Sequence, residues 1–353
     1  MSEETFNQLF PNRYGSAKWA EENPSKTPSD YYSYANLIKA IEEMADYEVI
    51  LYNRPHPGGE GAVAGAFYEW FSWKVLRKKS TNTEKIIYTG TNYADDYMQN
   101  QTPKEMAKLD YGLFLSSANE NDRKRELAAF LANISQETGR GDGAERLSGG
   151  LFYNEEIKYA NGGGNVKDYH QGDWDKPSLP HPTYPVVESQ SYHGRGPIQL
   201  SWNYNYGAAS AAILGDKNTL LNNPKQVVES GVLGWKTAIW FWMTALDPRP
   251  SCHQVMTGTW PTSGDGQVTW KPSTRDTSEG RTKVGFGMAV MVINGGVEGG
   301  KYANDTSEAG KKVANRGALY QHFAKALGAD TTGEKLDTGD MGEYNWFRNS
   351  KNP

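Results

Sequence analysis

The stretch Val232–Ala245 (VLGWKTAIWFWMTA) constrains the fold more than any other part of the chain. Trp235, Trp240, Phe241, Trp242 and Met243 leave it apolar on nearly every side. A helix that is hydrophobic all round has no solvent face, so this one reads as a central buried scaffold helix and not as a ligand surface. Other stretches carry helical signals around it. From Ser33 to Asp46, the residues Tyr34, Leu37, Ile38, Ile41 and Met44 recur at three-to-four spacing and predict an amphipathic helix. Ser117-Ala118-Asn119-Glu120 has the Ser-x-x-Glu form of a capping box. It opens a helix in which Leu127, Phe130, Leu131 and Ile134 mark a buried stripe. Gly207–Leu214 begins another helix, and Arg316–Leu327 is the last. The polar tail from Gly328 reads as loosely held at the surface.

Between these elements the pattern is less regular. RPHPGGEGAVAGAF (54–67) is a Pro- and Gly-rich loop. Phe67–Lys79, with Trp70, Phe71, Trp73 and Val75, predicts a helix, and Thr83–Gln101 reads as tyrosine-rich and irregular. At 353 residues, against about 150 per domain, one large or two modest domains are expected. The 11 Trp and 21 Tyr exceed what a core needs and point to carbohydrate or another flat ligand. The net charge of −5 and the lack of a long basic run argue against nucleic acid. No apolar run reaches the roughly 18 residues of a membrane span. The start, MSEETFNQLF, shows no Sec-type signal. Cys252 is the sole cysteine, so no intrachain disulfide can form. A monomer is expected.

Three places carry chemistry. Glu137 falls seven residues after Phe130, on the inward face of the predicted helix at its last turn, with Gly139 as terminator. Burial disfavours a charged carboxylate, which is the condition for a general acid at neutral pH. The alternative is neutralisation by an arginine, and Arg140 and Arg195 are both available. Next, GGLFYNEEIKYANGGG supplies a second acidic pair, Glu155 and Glu156, which elsewhere would read as an exposed charged loop. Then YHGRGPIQLSWNYNYG (192–207) packs three glycines, three tyrosines and a tryptophan among uncharged hydrogen-bonding side chains. Aromatic faces cover the CH side of a sugar ring, and amides fix its hydroxyls and N-acetyl group. Gly194 and Gly196 permit a tight path that Pro197 stiffens. A buried, self-satisfied turn is the competing reading. His170, Asp173 and His181 lack recognised metal-ligand spacing, so neither metal nor cofactor is expected. Cys252 and His253 read as packed residues.

YHGRGPIQLSWNYNYG resembles the signature segment of the family 19 glycoside hydrolases, the plant-type endochitinases. FLANISQETG (130–139), LGWKTAIWFWMT (233–244) and MVINGGVEGG (291–300) agree in the same order. The resemblance covers roughly residues 121–325, with a weaker match at FNQLFPNR. Plant members carry disulfides, so this chain is similar to a bacterial-style member.

The resemblance implies a mainly α, lysozyme-like, two-lobed fold with a deep cleft and little β structure. It implies a catalytic domain over 1–330, with 53–118 inserted before the catalytic helix and 331–353 as a polar tail. It further implies Glu137 as general acid and Glu156 as general base in an inverting reaction, with Glu155 the fallback. Inversion calls for carboxyl groups roughly 6.5–9.5 Å apart. By the same resemblance Ser201 holds the water. Gln199, Tyr204, Asn205, Asn294 and Tyr192 bind sugar, and Glu298 and Arg316 tune the charge around the catalytic pair. The family commonly has His-Glu-Thr where this chain has Gln136-Glu137-Thr138, so a group able to titrate is replaced by one that cannot. Chitin or chito-oligosaccharides are the implied substrate, acted on outside the cell. Peptidoglycan hydrolysis and non-catalytic chitin binding remain the alternatives.

Overall fold

The computed structural model describes residues 1–24, 29, 31–53, 72–90, 102–141, 143–174, 176–244, 250–259, 285–299 and 306–338. Among the described residues, the helices of six residues or more are α1 (Glu3–Leu9), α2 (Ala17–Glu22), α3 (Tyr34–Ala45), α4 (Glu120–Thr138), α5 (Asn203–Leu214), α6 (Gly231–Met243), α7 (Cys252–Thr257), α8 (Phe286–Glu298) and α9 (Glu308–Leu327). Four antiparallel strands, β1 (Tyr47–Asn53), β2 (Ser72–Lys78), β3 (Thr83–Thr89) and β4 (Lys104–Asp110), form one sheet in the order β3-β2-β1-β4. The fold is mainly helical and lysozyme-like, as the sequence predicts.

Helix α6 is the central element. Ser230 caps its first turn by accepting from the Leu233 amide, and Trp235, Trp242 and Ile239 are fully buried. It packs on α3, whose cap is Ser33. Gly234 makes room for the segment just before α3: a Cβ there would lie 2.0 Å from the Tyr31 hydroxyl, which donates to the Val227 carbonyl at 2.7 Å. Helix α4 packs chiefly on α9 and is buried almost all round from Ala128 to Gln136, so it is a second core helix and not a striped one. Its cap is Asn119, which accepts from the Asn121 amide. Ser117 instead accepts from the Asn119 amide at 3.2 Å, so the predicted capping box does not form. Glu120 and Asp122 in the first turn suit the positive end of the helix dipole.

The sheet corrects two expectations. Residues 72–78, predicted helical, form β2, because the period of two wins over the period of four. Trp73, Val75 and Arg77 share one face and pair with Tyr52, Ile50 and Glu48 of β1. The rings of Tyr52 and Trp73 stack at 5.4 Å, the cross-strand contact that a strand offers to aromatic and branched residues. Residues 83–89, predicted irregular, form β3 on the other side of the turn 79–82. The predicted loop 54–67 and most of the turn-rich stretch 258–283 lie outside the described residues.

One helix is longer than predicted, and another was not predicted. Helix α9 starts at Glu308, capped by Ser307, and α8 continues past the apolar run to Glu298 with a break at Asn294 (φ −142°, ψ 29°). The chain beyond Gly328 is not loose up to residue 338. Thr338 is fully buried and donates to the Glu298 carbonyl at 2.9 Å, satisfying a group that α8 leaves orphaned at its end. Residues 339–353 lie outside the described residues.

Phe130 joins α4 to α6 through tilted and edge-on contacts with Trp235 at 6.3 Å and Trp242 at 5.5 Å. Phe130→Ala is expected to cost about 3–5 kcal/mol of unfolding free energy in a denaturant titration. A loss below about 1 kcal/mol would show that this junction does not hold the core.

Candidate active site

Glu137 sits in the last turn of α4 with its side chain 23% exposed, and its partner is neither Arg140 nor Arg195. Arg140 pairs with Glu22 and Arg195 with Glu155. The carboxylate of Glu137 instead accepts from Arg316 Nη2 of α9. Arg316 is fully buried, and all five of its N–H groups have acceptors. Nε and Nη2 reach the two oxygens of Glu298 at 2.7 and 3.0 Å. Nη1 reaches the side chain and carbonyl of Asn133 at 3.0 and 3.4 Å. Burial pushes the Glu298 carboxyl up, but Arg316 and the Asn294 amide, 2.7 Å away, outweigh it and hold the group below its ordinary range. Burial likewise opposes the charge on Arg316, yet Glu137 and Glu298 raise its pKa. Glu298 and Arg316 are therefore buried behind Glu137, the one partly exposed carboxylate of the cluster.

The end of α4 also fixes the second acidic segment. Thr138 donates its hydroxyl to the Ile134 carbonyl at 2.6 Å and accepts from the Leu151 amide at 2.9 Å. Its own carbonyl accepts from the amides of Phe152 and Tyr153 at 3.1 and 2.9 Å. Gly139 is required here by close approach, not by a left-handed turn: φ is −84°, and a Cβ would lie 2.4 Å from the Ser135 carbonyl. Tyr153 is three residues before Glu156, so one threonine joins the helix end bearing Glu137 to the segment bearing the acidic pair.

Glu155 and Glu156 have different surroundings. Glu155 accepts from His193 Nε2 at 2.8 Å and from Arg195 Nε at 3.2 Å. Burial pushes its carboxyl up, and these two partners more than reverse that, leaving it below the usual range. Glu156 accepts from the Gly194 amide at 3.2 Å and the Tyr169 hydroxyl at 3.3 Å, while its amide donates to the Gly194 carbonyl at 2.9 Å. Burial and the neighbouring Glu156 push Tyr169 up to about 12, so its hydroxyl stays a donor.

The segment 192–207 follows a strained path. Arg195 and Leu200 exchange both backbone hydrogen bonds, and between and after them Gln199 (φ 51°) and Trp202 (φ 74°) are left-handed without being glycine. Ser201 lies between these two and donates its hydroxyl to the Gln199 carbonyl at 2.9 Å. Asn205 donates to the Ser201 carbonyl at 3.0 Å. The Tyr204 ring lies near Trp202, His181 and the half-exposed Trp174. Tyr192 does not join this face. It is fully buried, its hydroxyl donating to Leu221 and accepting from Val187, and it supports the core.

Gln136 is 7% exposed, and its Oε1 makes no hydrogen bond to the protein. His170 bonds the Gln190 carbonyl, while His181 accepts the amides of Thr183 and Tyr184, so both rings are committed to backbone. Cys252 is buried and packed, and His253 bonds the fully buried Glu126 at 2.7 Å.

The sequence did not single out Asn133, Tyr169, His193 or Glu126. Asn133 could have been found, since it lies one helical turn before Glu137 on the same face. Tyr169 carried no such signal, because it reaches Glu156 from a loop.

Carboxylates supported in this way on a lysozyme-like helical frame are the equipment of a glycoside hydrolase. The glycoside hydrolase family 19 model, described as chitinase class I, matches residues 104–338, and the chain belongs to that family. It is 38% identical over 243 residues to endochitinase 1 of Theobroma cacao, covering 68% of this chain and 64% of that one. To the endochitinase of Carica papaya it is 39% identical over 224 residues, covering 64% of this chain and 79% of that one. The chain spans under two thirds of the length of the Theobroma cacao protein, and 60% of chitinase 9 of Oryza sativa subsp. japonica. Among solved structures it is similar to chitinase C from Streptomyces griseus HUT6037 (TM-score 0.51, 25% identity, 95% of this chain and 79% of that one). A bacterial family 19 chitinase matches with TM-score 0.50 and 25% identity, over 95% of this chain and 98% of that one.

The low pKa of buried Glu298 has a consequence for acid stability. A carboxyl whose folded pKa lies below its unfolded value contributes stability above the unfolded value and loses it as pH falls through the folded one. Glu298→Gln is expected to cost on the order of 3 kcal/mol at neutral pH by leaving Arg316 underpaired. It should also flatten the fall in melting temperature below about pH 4. Parallel melting curves of parent and variant across that range would contradict this.

Proposed function

We propose that this protein hydrolyses chitin, the β-1,4-linked polymer of N-acetylglucosamine, by endo-acting cleavage with inversion. Family membership and the chitinase relatives support the substrate. The observation that carries the assignment of roles is the unequal treatment of the three glutamates. Glu155 is bound into an ion pair with Arg195 and His193, which suits a structural charge. Glu156 is held by one amide and one phenol, which leaves it able to take a proton. Glu137 shares a guanidinium already balanced by Glu298, so a proton on Glu137 leaves that cluster neutral.

In this reading Glu137 gives its proton to the glycosidic oxygen as the bond from C1 to that oxygen breaks. Water attacks C1 from the opposite face, and Glu156 takes the proton that the water releases. Ser201 already spends its own hydroxyl proton on the Gln199 carbonyl, so it meets the water as an acceptor and helps to aim it. The C1 centre inverts, and a β-linked chain yields an α-anomer. Gln199, Tyr204 and Asn205 line the sugar side, and Asn294 combines substrate contact with support of Glu298. Residues 53–118 are an insertion in the catalytic domain, and the protein acts outside the cell. Gln136 adds no titrating group beside Glu137, so the pH dependence is set by the acid–base pair and the charges around it.

Glu137→Gln and Glu156→Gln are each expected to lower kcat on chitohexaose by about 10²- to 10⁴-fold. NMR of the first product should show the α-anomer. A Glu137→Gln variant as active as the parent, or an initial β-anomer, overturns the mechanism. Faster turnover of purified peptidoglycan than of chitohexaose would replace the substrate.

A further inference from the structure

The charged groups around Glu137 come from three helices: Glu137 and Asn133 from α4, Asn294 and Glu298 from α8, and Arg316 from α9. One short segment, residues 334–338, touches all three. The Glu334 carboxylate accepts from Arg125 of α4 and from the Tyr320 hydroxyl of α9, the latter at 2.9 Å. The Lys335 carbonyl accepts from the Gly287 amide at 2.9 Å. That amide belongs to the first turn of α8, which has no partner within the helix. Leu336 lies over α9 beside Arg316, where a Cβ on Gly317 would sit 3.5 Å from the Leu336 carbonyl oxygen. Thr338, fully buried, donates to the Glu298 carbonyl at the other end of α8.

The break at Asn294 makes this contact more than decorative. The hydrogen-bond ladder of α8 does not run unbroken to Glu298, so the helix alone does not set where that residue's backbone lies. Glu298 in turn sets Arg316, and Arg316 meets Glu137.

We propose that the segment Glu334–Thr338 is a strap that positions the acid: it closes both ends of α8 onto α4 and α9, and Thr338 and Glu334 are positioning residues for the Glu298–Arg316–Glu137 chain. The proposal rests on Glu137 being the general acid. Glu334 and Thr338 are out of contact with the reacting atoms and act only through Arg316. A shift of a fraction of an ångström is enough, because a guanidinium aimed at two carboxylates tolerates little displacement.

The test compares Thr338→Val, which keeps the shape and removes the donor, with Thr338→Ser, which restores the donor. Thr338→Val is expected to lower kcat on chitohexaose about tenfold or more with KM held within about twofold, and Thr338→Ser to recover it. The ¹⁵N-edited signal of the Arg316 Nε–H group should move in Thr338→Val and return to the parental position in Thr338→Ser. Parental kcat and a parental Arg316 signal in Thr338→Val, even with a lower melting temperature, would make the segment a stabiliser only and overturn the proposal. If Thr338→Val does not fold, Glu334→Gln carries the same two measurements and the same expected loss of kcat. An inactive parent would defeat the chitinase reading, while the Arg316 signal would still decide whether the strap holds the guanidinium.

Discussion

The buried guanidinium of Arg316 is the charge on which the rest of the site depends. A cation with no exposure is costly unless every donor is met and the charge is balanced, and removing one partner of such a group is far more damaging than never having built it. Here five N–H groups find five acceptors on two other helices. Packing α4, α8 and α9 in any other register would strand at least one of them. The ion cluster therefore does two jobs at once. It specifies how three helices meet, and it leaves Glu137, its one partly exposed member, at the edge of a cluster whose remaining charges cancel.

The second constraint is made of backbone. Thr138 and Gly194 use their main-chain groups, and Thr138 its hydroxyl, to tie the acidic segment on one side to the end of α4 and on the other to the segment 192–207. Main-chain contacts hold position more tightly than long side chains do, because fewer rotatable bonds separate them from the frame. Glu156 is thus tied through main-chain groups to the helix end that carries Glu137.

How much of this was legible varied with the range of the signal. The all-apolar pattern of 232–245 identified the central helix, because burial on every side leaves a composition that needs no partner to interpret. Glu137 was visible as a carboxylate among buried residues, but its arginine was not. The candidates Arg140 and Arg195 were near in sequence, whereas Arg316 lies 179 positions away, and periodicity is silent at that distance. Strand β2 was misread because Trp73 and Val75 satisfy short stretches of either period, and cross-strand partners decided between them. Tyr192 was taken for a sugar ligand by its place in an aromatic segment. Residues 192–198 are buried without a break, and partly exposed side chains begin only at Gln199, after the chain starts to reverse.

The same reversal gives meaning to the strain in 199–202. Two non-glycine residues with positive φ within four positions cost about 1–3 kcal/mol each, and a purely structural turn would have taken glycine there. Glycine would relieve the backbone but remove the amide of Gln199, which donates to the Gly196 carbonyl at 3.0 Å, and the ring of Trp202, which lies beside Tyr204. The strain is tolerated because the surroundings over-determine the path. The Arg195–Leu200 pair, the Trp202 amide on the Tyr192 carbonyl and the Asn205 amide on Ser201 each fix it separately. Ser201 is then held from both sides by residues that are themselves held. With its proton given to the Gln199 carbonyl, the Ser201 hydroxyl has only acceptor lone pairs left to offer, from a backbone that is fixed on both sides. In the proposed reaction that is the property required of a group that aims the water, and it gives a use to a distorted backbone beside an inconspicuous side chain.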